Sequence, residues 1–228
     1  MRSDVNGGKQ AMTADGRTLS AQIHDAILEM IIDAGADSEK ILLTERELVE
    51  KFGVSKAPVR EALLRLCAEE VLNSIPRCGY VVVRLGEKSG RDNLAVRQIL
   101  ELSSLEMCFD AFTPERIREI EANLKTSCEG LRGNPTVWQL WQANLDFHCD
   151  LIATSGNRYL VKHLKNCIEV ERRFYAQNLY TAANRFISIF HPEPHERILD
   201  AIRKGDRELA LQTLKMDISG DPLVCAPR

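Results

Sequence analysis

The stretch KFGVSKAPVREALLRL, residues 51–66, carries a proline just inside what its apolar spacing otherwise makes a helix. It also sets Lys51, Lys56 and Arg60 among ten residues that hold no acid, in a chain whose net charge is −3. The proline is a start signal. Ser55 is placed as N-cap, and Pro58 falls in the first turn, where a missing N–H costs nothing because first-turn donors have no partner inside the helix. Val59, Leu63, Leu66 and Val71 then share the buried face, which leaves Lys56, Ala57 and Arg60 pointing elsewhere. The result is a short, abruptly started helix with a cationic tip.

Upstream, TERELVEKF predicts a shorter helix with Leu48, Val49 and Phe52 on one face, and Thr44 with Glu47 three residues later is a capping-box pattern for its start. An amphipathic helix before it carries Leu19, Ile23, Ile27 and Met30/Ile31 and is interrupted at Gly35 and Asp37. Downstream, LNSI and YVVVRL flank the turn PRCG and read as a small hairpin. Helix, helix-turn-helix, hairpin is the layout of a winged helix-turn-helix over residues 18–85, preceded by a disordered tail at 1–17.

GEKSGRDN, residues 86–93, is polar and contains glycine, and reads as a linker. Beyond it come long helices. One covers 92–112; TPERIREIEANLKTSCEGLR opens with a Thr cap and Pro, and NPTVWQLWQANLDFHCDLIATSGN opens on Asn134 and Pro135 in the same way. Further helices cover 157–182, 194–204 and 206–219, the last two separated only by Gly205, with Asp206 as N-cap. About six helices and no strand make 94–220 an all-helical bundle, with a tail at 221–228. The fold class is mainly α.

The composition, 44% hydrophobic and 28% charged, is that of an ordinary soluble protein. No apolar run approaches the roughly 18 residues a membrane span needs, and the N-terminus has no apolar signal region. The seven cysteines are odd in number, scattered and never spaced C-x-x-C, which points to free thiols in a reducing cytoplasm. A pI near 6.0 opposes any claim of nucleic-acid binding from bulk charge. The local pattern outweighs it. The second helix of a helix-turn-helix lays its N-terminal end in the major groove, where cations and small polar groups are wanted and carboxylates are not. Ser55, Lys56 and Arg60 meet that need, Ala57 is small enough to approach a thymine methyl, and Arg77 and Gly79 sit in the wing turn.

The segment LLTERELVEKFGVSKAPVREALLRLCAEEVLNSIPRCGYVV resembles the winged-helix signature of the GntR family of bacterial transcription regulators, with its S-K-A-P-V-R-E-A-L-x-R-L core and R-x-G-Y-V wing. The resemblance implies that Arg46, Ser55, Lys56, Ala57, Arg60, Arg77 and Gly79 contact DNA. Lys56 stands where the family usually has Arg, Ala57 where it has Thr or Ser, and Glu70 where it has Gly. Lysine lacks arginine's planar fork, so base preference is expected to differ.

In WQLWQANLDFHCDLI the apolar stripe is Trp141, Leu145, His148 and Ile152, so His148 points inward and Asn144 shares its side. His195 lies about ten residues before the Gly205–Asp206 turn and Asp217 about eleven after it. At ~1.5 Å per residue both sit roughly 15–17 Å from the turn and face each other. Four donors from three helices thus converge in the bundle. The pieces FHCDLIATSGN and HERILDAIRKGDRELA resemble the FadR-like (FCD) branch of the same family, and six helices look like its VanR-type subgroup. Many such domains hold a divalent metal through Asp-x3-His and two further histidines. Here His148 and His195 match, while Asn144 replaces the aspartate and Asp217 the last histidine.

Three readings of this centre stand: a divalent metal (zinc, nickel or manganese) that helps hold a small carboxylate, a metal-free polar pocket, or two satisfied core histidines. His24, His163 and His191 read as structural or exposed, with His191 near enough to His195 to substitute as ligand. Arg97, Arg172 and Arg173 are candidates for gripping an anionic effector, because arginine pairs carboxylates bidentately, although such residues are more often solvated. The leading expectation is a ligand-responsive transcription regulator, cytoplasmic, binding an inverted-repeat operator as a homodimer and sensing a small organic acid. A protein-interaction adaptor and a metal-dependent enzyme are the competing classes. The chain has no P-loop and no H-E-x-x-H to favour the enzyme.

Overall fold

The computed structural model describes residues 17–133, 136–178 and 192–219. Of the tails expected at 1–17 and 221–228 only Arg17 is described, exposed and paired with Asp25, and Asn134, Pro135 and His191 also lie outside the described residues. The chain divides into two compact units between Arg84 and Leu85.

In the first unit α1 (Leu19–Ala34) starts at the Thr18 cap and buries Ile23, Ile27 and Ile31. A 3-10 segment (Gly35–Lys40) leads to β1 (Leu42–Leu43). Next comes α2 (Glu45–Phe52), whose first turn is closed by Thr44: its Oγ1 accepts from the Glu47 N–H at 3.2 Å and donates to the Glu47 carboxylate at 2.7 Å. Then α3 (Lys56–Ala68) begins at Ser55, with Pro58 as its third residue and Val59, Leu63 and Leu66 fully buried against α1. Burying side chains of this size contributes about 1.5–3 kcal/mol each, so this face holds the unit together.

The hairpin is β2 (Leu72–Ile75) and β3 (Gly79–Val82), joined by Pro76, Arg77 and Cys78. A third strand was not foreseen: β1 pairs antiparallel with β3, giving the order β1-β3-β2. Two residues carry no period of their own, so only the partner strand makes them a strand. That pairing explains Gly79. A Cβ there would stand 2.4 Å from the Leu43 carbonyl oxygen, at a φ of +143°.

The second unit consists of six helices among the described residues: α4 (Glu87–Cys108), α5 (Pro114–Gly130), α6 (Val137–Ala153), α7 (Arg158–Asn178), α8 (Pro192–Arg203) and α9 (Arg207–Ser219). Residues 87–93, expected within a linker, are instead the first turns of α4. Their charges fall four apart, Glu87 with Arg91 and Lys88 with Asp92, and such pairs support a helix. Gly90, which helped suggest a hinge, faces α7 so closely that a Cβ would meet the Phe174 ring at 2.8 Å. α5 begins with Thr113 and Pro114 as read. α6 begins at Val137, where Thr136 and Gln139 complete a full capping box; the start expected at Asn134 and Pro135 lies outside the described residues. The apolar core joins Leu105, Ile120, Phe147, Leu151, Ile198 and Leu214 from α4, α5, α6, α8 and α9.

Candidate functional sites

Arg46, Ser55, Lys56, Ala57, Arg60 and Arg77 are all exposed, and Gly79 is partly so. Ser55 makes no side-chain cap bond, which leaves its hydroxyl at the open end of α3. Arg77 takes φ 66° in the wing turn. One residue at this tip was missed: Glu45 of α2 approaches Lys56 Nζ at 2.9 Å and Arg60 Nε at 3.8 Å. No window around α3 alone could have found it, because it comes from the neighbouring helix. Exposed pairs of this kind are worth about 0–1 kcal/mol, so DNA phosphates can displace the carboxylate. His24, read as structural or exposed, is buried, with Nδ1 2.9 Å from Asp25 and Nε2 2.6 Å from Glu69.

In the second unit the geometry around the Gly205 turn brings His195 Nε2 to 3.5 Å from Asp217 Oδ2, and α6 brings His148 Nε2 to 3.1 Å from the same oxygen. The three ligating atoms lie within 4.8 Å of one another. Zinc–nitrogen bonds of ~2.0–2.1 Å place ligand atoms ~3.4 Å apart at the corners of a tetrahedron, close to the two spacings from the histidines to Asp217. His148 Nε2 is buried yet makes no aligned hydrogen bond despite its nearness to Asp217. A buried ring nitrogen in this state is available to a ligand. The His195 ring is held by stacking on Phe147, at 3.9 Å between centroids and 13° between planes. Two imidazoles and one carboxylate therefore fit a divalent ion. Asn144 is buried one turn before His148 on α6.

Behind His148 stands a line of buried charge that sequence reasoning did not anticipate. His148 Nδ1 meets Glu101 Oε2 at 2.6 Å, Arg97 Nε donates to Glu101 Oε1 at 2.7 Å, and Arg97 Nη1 donates to Glu171 Oε2 at 2.6 Å. Arg97, expected as an effector grip, thus gives its charge to two carboxylates inside the bundle. A readable signal existed: Leu94, Arg97, Glu101, Leu105 and Cys108 follow one helical stripe, so two charges occupy core positions. Arg173 is also buried, while Arg172 pairs with Glu169 at 3.5 Å and lies over the Trp138 ring.

The electrostatics follow from these contacts. Burial works against an imidazolium at His148, but the Glu101 charge and contact with Asp217 overcome it and push its pKa up to about 9. His195 is lowered, first by burial and also by the His148 charge, against the pull of Asp217. Burial alone would raise Asp217 and Glu101, yet both are held below the usual carboxylate range, Asp217 by the two histidines and Glu101 by His148 and Arg97.

A winged helix-turn-helix with a cationic reading tip, followed by a helical bundle with a buried polar centre, defines a DNA-binding transcription regulator with a helical sensing domain. Residues 19–82 match the model for bacterial regulatory proteins of the gntR family, and residues 92–219, more than half the chain, match the FCD domain. The chain belongs to the gntR family, in the branch that carries an FCD domain. It is 27% identical over 194 residues to the uncharacterized HTH-type transcriptional regulator YdhC of Bacillus subtilis, covering 84% of each chain. It is 26% identical over 189 residues to the gluconate operon transcriptional repressor of Bacillus licheniformis, covering 82% of this chain and 77% of the relative. The fold is similar to that of McbR/YncC of E. coli, with a TM-score of 0.68 at 22% identity, covering 90% of this chain and 95% of the other. Its relatives are transcription regulators, and the chain is one too, not an enzyme. Among the described residues no helix is long and apolar enough to cross a membrane.

Proposed function

We propose that the protein binds an inverted-repeat operator as a homodimer through Arg46, Ser55, Lys56, Ala57, Arg60, Arg77 and Gly79, and that a small organic acid sensed in the bundle changes that binding. The observation that carries the sensing role is the convergence of His148, His195 and Asp217 on one point in the interior. A zinc, nickel or manganese ion there would supply a Lewis-acid site for a carboxylate oxygen. Asn144 is the proposed fourth donor, a neutral amide oxygen. Arg172 and Arg173 are the proposed anion grips, since the charge of Arg97 is already taken up by Glu101 and Glu171. The similarity to a gluconate operon repressor favours a hydroxy acid, which offers a carboxylate and an adjacent hydroxyl to such a site. The dimer is supported by apolar surface: Val96, Ile99 and Met107 on α4 and Leu209 and Met216 on α9, two helices that pack together, are exposed. A regulator of this kind acts in the cytoplasm.

The test is operator affinity measured on full-length protein, chelator-treated, zinc-loaded, and zinc-loaded with a panel of hydroxy acids. An effector must bind one geometry of the protein better than another, and useful coupling is about 1–3 kcal/mol, or roughly 5–150-fold in affinity. We expect a shift in that range for one acid, and its loss in His148→Ala. Operator affinity that stays the same with a demonstrably bound acid would rule out its regulatory role.

A further inference from the structure

The proposed ligand His148 is one of a chain of buried polar groups, and the next group in that chain has no assigned task. Glu101 is completely buried, Arg97 is 1% exposed and Glu171 is completely buried. Carboxylates are costly to bury, and apolar residues at these positions would stabilise the bundle at least as well. Their placement is specific. Glu101 uses one oxygen for Arg97 Nε and the other for His148 Nδ1, and Arg97 is itself tied to Glu171 on α7.

We infer that Glu101 is a positioning residue for the metal-binding centre: it takes the Nδ1 hydrogen bond of His148 and thereby presents Nε2 to the point shared with His195 and Asp217. A neutral imidazole offers a lone pair on only one nitrogen, and which one is set by the hydrogen bond of the other. With Nδ1 held by Glu101, the lone pair is on Nε2, 3.1 Å from Asp217 Oδ2. Arg97 and Glu171 stop the Glu101 carboxylate from turning away, because its second oxygen is bonded 2.7 Å from Arg97 Nε. Loss of such outer partners typically costs about 10–100-fold in metal affinity. The inference rests on the metal reading proposed above.

The experiment compares Glu101→Gln and Glu171→Gln in full-length, chelator-treated protein titrated with cobalt(II) and followed by its visible absorption. Each variant removes one carboxylate charge from Arg97, but only Glu101 touches His148. Glu101→Gln is expected to weaken cobalt binding about 10–100-fold and to alter the absorption band. Glu171→Gln is expected to lower the unfolding midpoint but to change affinity less than about threefold, because Glu171 bonds Arg97 and not His148. Should Glu101→Gln fail to fold, Glu101→Asp keeps the charge while drawing the oxygen back from His148, and the same loss is expected. Unchanged cobalt affinity in the folded Glu101 variant, or equal losses in both variants, overturns the positioning role. Wild-type protein that binds no cobalt removes the metal reading and this inference together, whereas wild-type binding with an unaffected Glu101 variant removes this inference alone.

Discussion

Arg60 is exposed and lies beside Lys56 on the outward side of α3, with Glu45 within reach of both. In the proposed docking its removal takes away contacts to DNA and none to the core, so Arg60→Ala should weaken operator binding at least about tenfold, within the 1–3 kcal/mol expected of a base-reading arginine. A fluorescence titration with unchanged circular dichroism checks it, and unaltered affinity would count against this docking of α3. Glu70 offers a second residue-scale test. It stands where the family usually has glycine, and its φ is 54°, just past the end of α3, where the Val71 N–H reaches back to the Leu66 carbonyl at 2.9 Å. A left-handed conformation costs an L-residue about 1–2 kcal/mol, while glycine adds roughly 0.5–1 kcal/mol of unfolded-state freedom. Glu70→Gly should therefore stabilise the first unit by about 0.5–1 kcal/mol, read as a higher midpoint in urea. A lower midpoint would mean that the Glu70 side chain contributes more than its backbone costs.

Among the elements, the contact of α4 with α7 is the one whose sequence signal misled. Gly90 within a polar octapeptide reads as a hinge, yet it is a buried helical residue that lets Phe174 lie against the backbone. In an exposed helix Gly→Ala stabilises by about 1 kcal/mol. Here the added methyl would stand 2.8 Å from a buried ring that must shift to admit it, and such overpacking costs about 1–3 kcal/mol. Gly90→Ala should therefore destabilise the second unit, and Phe174→Leu added to it should recover part of the loss. A thermal scan of the single and double variants decides the sign. An increase in stability from Gly90→Ala alone would show that the two helices are free to separate.

At the scale of the whole molecule, charge is unevenly used: the chain is net −3 while its reading tip is cationic. Its buried ionic centre makes stability depend on pH. His148, on α6, lies between Glu101 on α4 and Asp217 on α9, and its pKa in the folded, metal-free protein is about 9 against an ordinary value of 6.5. Burial and the Arg97 charge oppose the protonated ring, and the raised value is what remains after the Glu101 and Asp217 contributions outweigh them; His195 also faces this centre. A folded pKa above the unfolded one means the folded state binds the proton more tightly. That stabilisation is complete below pH 6.5 and is lost as pH rises through about 9. Chelator-treated protein should thus lose stability between those two values, and His148→Leu should flatten the profile. Metal affinity should rise over the same interval, because Nε2 must shed its proton to bind an ion. A wild-type unfolding profile flat from pH 6.5 to 9 would show that His148 is neutral in the folded chain.

The winged helix and the helical bundle were legible because they rest on local causes: a cap before a proline, apolar residues at helical spacing, a turn between two short β-rich runs. Even the meeting of His195 and Asp217 could be read, since a tight turn between antiparallel helices fixes their level by rise per residue alone. The partners of the site could not. Glu101 reaches His148 across 47 positions and Arg97 reaches Glu171 across 74, and no local pattern carries such pairings. The same holds for β1, which is a strand only because β3 lies beside it, and for Gly79, whose missing side chain answers to the Leu43 carbonyl. Which faces are apolar and where helices begin follows from neighbours along the chain alone. Which buried charges meet is a property of the packed bundle, because burial makes pairing compulsory while leaving the choice of partner to the packing of α4, α6, α7 and α9.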